Sequence, residues 1–109
     1  MRTLHFIVEG QSISPDPSCS FDGLFPGRNT EVRAHFTFSP EWKYGVKVAA
    51  FHSMLGKEFP PSIIDEDGCC MIPVEALELP TFKLSILGKT RGTMMTTNTL
   101  TIYQKGGTA

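Results

Sequence analysis

An excess of charge of one sign is missing from this sequence. Ten Lys and Arg residues meet eleven Asp and Glu, leaving a formal charge of −1 over 109 residues. A nucleic-acid grip needs a basic patch or stripe, so the balance argues against one, and also against a strongly acidic DNA mimic. Long apolar runs are missing as well. No stretch approaches the ~18 apolar residues of a membrane helix, and Met1 to Glu9 carries neither the apolar region nor the cleavage site of a signal peptide. Cysteine is scarce and odd in number: Cys19, Cys69 and Cys70. That count does not make a disulfide framework, and the neighbours Cys69 and Cys70 could bridge only across a strained backbone. Three reduced thiols in a reducing cytoplasm are expected.

Uninterrupted stretches are also rare. Ten Gly and eight Pro punctuate the chain, and the longest segment free of both, Thr93 to Lys105, is rich in threonine. Long helices are excluded, because a proline costs ~3 kcal/mol and a glycine ~1 kcal/mol in a helix interior. What the chain does have is alternation. In Glu31 to Phe38, the side chains of Val32, Ala34, Phe36 and Phe38 share one face, and Glu31, Arg33, His35 and Thr37 the other. This is a strand with one buried side. Leu4, Phe6 and Val8 alternate in the same way, as do Val46, Val48 and Ala50, then Phe82, Leu84 and Ile86, then Leu100 and Ile102. Cys69 to Ile72 reads as a short strand after the turn Asp65 to Gly68. Pro73 is placed at the first position of one short helical turn near 73–78, which Pro80 stops. The pattern predicts an all-β, antiparallel β-sandwich, Ig-like, of six or seven short strands. Residues 1–105 form its single domain, and 106–109 a flexible tail.

Chemistry-bearing motifs are sparse. His5, His35 and His52 lack the spacing of a helical metal site, and no Cys-x-x-Cys occurs. A zinc site would have to gather His5, His35, Cys19 and Cys69 or Cys70 from separate strands. His5 and His35 fall on the polar phase, so exposure is expected of them, and no metal or cofactor is expected. His52 and Ser53 are adjacent in a strand and point to opposite faces, so they cannot act as base and nucleophile. Gly88-Lys89-Thr90 resembles the end of a phosphate loop, but Lys83 stands where that loop needs glycine. A hairpin turn from Gly88 to Gly92 accounts for both glycines. Trp42, the single tryptophan, is expected to plug one end of the core with its indole N–H on a nearby carbonyl. Lys83, Lys89 and Arg91 are a modest basic group, too small for nucleic acid. None of this points to an enzyme.

Several segments together resemble a known group. These are Phe6-Ile7-Val8-Glu9-Gly10-Gln11, Asp16-Pro17, Phe25-Pro26-Gly27, Phe36-Thr37-Phe38-Ser39-Pro40-Glu41-Trp42-Lys43, Asp67-Gly68-Cys69-Cys70-Met71-Ile72-Pro73-Val74-Glu75-Ala76-Leu77 and Thr96-Thr97-Asn98. With them the chain resembles small phage and prophage β-sandwich proteins of gut Firmicutes. It is similar to the N-terminal attachment domains of phage tail-fibre and upper-baseplate proteins. The resemblance implies a non-enzymatic, protein-binding component of a tail or baseplate. Its partner would be a phage structural protein, with no nucleic acid or membrane involved. No heptad pattern follows in these 109 residues. A free-standing alternative therefore stays open, an inhibitor of a host defence system that binds a Cas nuclease such as Cas9 by protein–protein contact. The expected location is the host cytoplasm, or the virion for a tail component. Either role would use aromatic anchors and an exposed strand edge. Candidate contact residues are Phe25, with Leu24 and Pro26, in one loop and Phe59, with Pro60 and Pro61, in another. Met94 and Met95 are adaptable apolar contacts, and the acidic turn Asp65, Glu66 and Asp67 would lie at a rim.

Overall fold

Alternating side chains produce strands here almost wherever the sequence shows them. The computed structural model describes residues 2–27, 31–90 and 92–104. Arg91 and the expected tail 106–109 lie outside the described residues. Nine strands run in chain order: β1 (Arg2–Glu9), β2 (Ser12–Pro15), β3 (Val32–Phe38), β4 (Val46–His52), β5 (Ser62–Ile63), β6 (Cys69–Met71), β7 (Thr81–Thr90), β8 (Thr93–Thr96) and β9 (Leu100–Tyr103). A 3-10 turn, Pro40–Trp42, follows β3, and a one-turn helix, α1 (Val74–Leu77), precedes β7. Pro73 is the N-cap of α1 and not its first residue.

Two sheets pack into an all-β sandwich. One has the order β2-β1-β3-β6; the other runs β5-β4-β7-β8, with β9 also paired to β7. Nine strands replace the expected six or seven because β2, β5 and β8 are two to four residues long, too short to show a period. One pairing departs from the antiparallel expectation: β1 and β3 are parallel, with Arg2 opposite Val32 and Val8 opposite Phe38. The connectivity suits it. The β2 strand runs back along β1 as far as Pro15, opposite Phe6, and β3 then lies on the other side of β1 from β2 and sets off in the direction of β1.

The core lies between the sheets. Leu4, Phe6, Val8, Val32, Ala34 and Phe36 come from one sheet, and Ala49, Phe51, Phe82, Leu84 and Ile86 from the other. Aromatic rings form a chain along the first sheet: Phe21–Phe6 at 5.6 Å, Phe6–Phe36 at 5.4 Å, Phe36–Phe38 at 5.9 Å and Phe38–Trp42 at 5.7 Å between centroids. Trp42 closes one end as expected, buried, with its indole N–H donating to the Gly10 carbonyl at 2.6 Å. Gln104, buried at the opposite end of the chain, donates through Nε2 to the Leu77 and Leu79 carbonyls at 2.8 and 2.7 Å, and so satisfies acceptors left over at the end of α1.

The sandwich sides are stitched. On one side Ser62 Oγ of β5 donates to the Met71 carbonyl of β6 at 2.8 Å. On the other, Asn98 Oδ1 accepts from the Ile13 N–H at 2.8 Å, and the Asn98 N–H donates to the Gln11 carbonyl at 3.1 Å. Between β8 and β9, Thr97 Oγ1 takes over the ladder, accepting from the buried Ile86 N–H at 2.9 Å.

Strand β4 reverses the expected phase. Ala49 and Phe51 face inward, whereas Val46 is 62% exposed. Phe51 decides this: an aromatic side chain hides some 150–250 Å², and it packs on Phe82 at 6.2 Å between ring centroids. Lys47 shares that inward phase, but it sits at the mouth of the sandwich, where its Nζ donates to the Gly45 carbonyl at 3.4 Å. The apolar residues Val46, Val48 and Ala50 are therefore left on the outside.

A candidate docking face

Strand register builds the surface that follows from this reversal. Ile63, Val48, Leu87 and Thr96 stand opposite one another in a row across β5, β4, β7 and β8. Val46, Lys89 and Met94 form the next row, and Ala50 and Ser85 the row on the other side. The result is a shallow groove of about 650 Å³, bounded at one end by Phe59 and Pro61. Its rows are largely apolar, and their outer members are open to solvent: Val46 is 62% exposed, Ile63 73% and Met94 64%, while Val48, Ala50 and Leu87 are half-buried and Ser85 is buried. An antiparallel sheet ordinarily turns polar side chains to water on one face and apolar ones to the core on the other. This sheet also carries apolar side chains on its outer face, and exposed apolar surface of that kind marks interaction sites. Charges lie at its margin. Lys89 and Lys83 share the outward phase of β7, and the Lys57 ammonium sits 6.0 Å from the Phe59 ring centroid. Glu58 pairs with His52 through an isolated backbone β-bridge at the same end.

The sequence-derived contact residues separate onto different parts of the molecule. Met94 lies on this face, while its neighbour Met95 turns the other way and packs half-buried against the core. Phe59, expected exposed in a loop, is buried and forms a wall of the groove. Phe25 is 39% exposed in the segment between β2 and β3. Asp65, Glu66 and Asp67 form an exposed turn, but Asp65 is engaged locally: its Oδ1 accepts from the N–H groups of Asp67 and Cys69, both at 2.9 Å. With Phe38, Trp42, Lys43 and Lys47 the turn borders a separate depression at the Trp42 end. At the strand edges, the Ile13 N–H of β2 and the Met71 carbonyl of β6 are engaged by side chains, and β8 ends its sheet.

Four apolar residues that line the groove, Val46, Val48, Ala50 and Leu87, were not among the contact candidates. A signal for them was present. In Val46 to Phe51 only Lys47 is polar, so both phases are apolar, and one of them had to face out.

The outer face of the first sheet gathers the histidines. His5, His35 and Cys69 lie in one row across β1, β3 and β6. Contrary to expectation the two imidazoles are half-buried and meet each other, with Nδ1 atoms 3.3 Å apart and centroids 5.2 Å apart. Cys19 Sγ accepts from the His5 backbone N–H at 3.4 Å. Among the described residues no group of three or more His, Cys, Asp or Glu is placed to hold a metal ion. Burial, with the nearby Asp65 carboxylate, raises the Cys69 thiol; burial also pushes Cys70 up to about 12. Both thiols are therefore held protonated, which makes them poor nucleophiles and metal ligands. Among the described residues, no helix is long and apolar enough to cross a membrane.

No protein-family model matches this chain, and no curated protein matches it.

Proposed function

We propose that the chain is a non-catalytic protein-binding module that docks through the outer face of its five-stranded sheet. The setting implied by the resemblance is a phage tail or baseplate, with another structural protein as partner. One observation carries this reading: Val46, Ile63 and Met94 stand exposed on the outer face of the sheet, around the half-buried Val48 and Leu87, where water-facing side chains belong. Covering one exposed side chain as large as Ile63 or Met94 contributes up to about 1.5–3 kcal/mol, so a handful suffices to hold a partner once the costs of association are met. The groove's own chemistry fits contact and not turnover. Its polar members are His52, Glu58, Ser85, Lys89 and Thr96, a set suited to orienting a ligand.

A photo-crosslinking residue tests the proposal. Benzoylphenylalanine replaces Met94 in one variant and Thr37, on the outer face of the other sheet, in a second. The chain is then expressed in phage-infected host cells. An adduct to a virion protein through Met94 alone supports the reading. A Met94 adduct to a host nuclease transfers the same face to the inhibitor role. Adducts through Thr37 alone overturn the docking face.

A further inference from the structure

We propose that the groove receives an amphipathic helix of two to three turns, flanked by carboxylates and carried by the partner protein. This deepens the docking reading above and rests on it.

Three observations specify a helix and its charge. First, backbone pairing offers a ligand little. The strands under the groove hydrogen-bond one another within the sheet, so a segment lying over this face meets side chains and not open backbone groups. A segment laid across such a face must satisfy its own N–H and C=O groups. A helix does so internally and presents only side chains. Second, the apolar stretch is short. From Val46 to Ala50 the strand advances about 13 Å, which a helix spans in about nine residues. Third, charge is distributed unevenly. The chain as a whole is at −1, yet among the described residues Lys89 and the acid Glu58 line the groove, Lys83 continues the outward phase of β7 opposite the lining residue His52, and Lys57 stands over the lining Phe59 ring. The acids Asp65, Glu66 and Asp67 border the depression at the Trp42 end or stand beside it, and Glu75 lies on α1. A lysine-bordered apolar groove is complementary to an apolar stripe with acidic flanks. A second copy of the chain would instead bring a second lysine set to the same contact.

The test uses two synthetic peptides of about 15 residues, the length at which an isolated helix begins to persist in water. Both carry leucines at i, i+3, i+4 and i+7. One has glutamate flanks and the other lysine flanks. Each is titrated into the whole chain and followed by amide chemical shifts. The acidic peptide is expected to shift β4, β7 and β8 and to bind about tenfold or more tightly than the basic one. Salt narrows that preference. The double variant Lys83→Glu/Lys89→Glu reverses it, and Val48→Asp, with its circular dichroism unchanged, loses both peptides. Equal binding of the two peptides, or binding of neither, overturns the proposal. So does a concentration-dependent dimer in sedimentation whose shifts map to this face, because the occupant is then a second copy. The Met94 crosslink separates the two levels. An adduct without peptide preference keeps the docking face and removes the acidic helix, whereas no adduct and no peptide binding remove both.

Discussion

The ring of Trp42 lies flat against the backbone of Gly88: a Cβ added to that glycine would stand 2.7 Å from the ring's Cζ3 and 3.0 Å from its Cε3. The ring cannot retreat, because its N–H is bonded to the Gly10 carbonyl and it packs on Phe38. The glycine that resembles part of a phosphate loop is therefore a seat for tryptophan. Gly88→Ala is expected to destabilise the fold by about 1–3 kcal/mol through overpacking, read from the urea midpoint, and to shift the tryptophan emission. A variant as stable as the parent would refute the tight seat.

Neighbouring positions on β4 should respond oppositely to charge. Ala49 is fully buried opposite Ile86, whereas Val48 stands on the outer row opposite Leu87. Ala49→Asp buries an unpaired carboxylate and should abolish cooperative unfolding. Val48→Asp should stay within about 1 kcal/mol of the parent. Thermal melts of the two variants decide the phase of the strand.

Thr97 offers a test of a single hydroxyl. Its Oγ1 is the acceptor for the buried Ile86 N–H and donates to the Asn98 carbonyl at 2.9 Å. Thr97→Val keeps the shape and orphans the N–H, at a cost of about 1–3 kcal/mol. Thr97→Ser should restore most of it. Equal stability of the Val and Ser variants would remove this role.

The buried thiol predicts a pH dependence. Cys70 is pushed up to about 12 by burial, then by the neighbouring Cys69 and by Asp65. The folded state therefore holds its proton where the unfolded thiol, near pKa ~8.5, has lost it. Its contribution to stability is complete below about pH 8.5 and falls as pH rises from there toward 12. Urea midpoints from pH 7 to 10 should decline in the parent and decline less in Cys70→Ala. Iodoacetamide should label Cys70 only after unfolding.

Much of the first sheet was legible. Strands β1 and β3 each carry one apolar phase and one polar phase, so their buried faces could be assigned from spacing, and Phe6 and Phe36 lie where the alternation put them. Strand β4 was not legible in that way. Its two phases are both apolar, and only the packing of Phe51 on Phe82 selects between them. The same ambiguity concealed the groove, because Val46 and Val48 read as core. Phe59 is a related case: its proline neighbours mark a loop, and only tertiary contacts, among them its backbone N–H on the Phe51 carbonyl at 3.0 Å, place its ring in the core.

By itself the sequence determined the strand class, the scarcity of helix and the buried faces of those strands whose two phases differ in polarity. Local alternation and the frequency of Gly and Pro are properties of a few consecutive residues, and a chain cannot hide them. The tertiary structure alone decided the parallel pairing of β1 with β3, the meeting of His5 and His35, and which side of β4 faces water. Those depend on contacts between residues far apart in the chain, where burial of one large side chain outweighs the preference of several small ones.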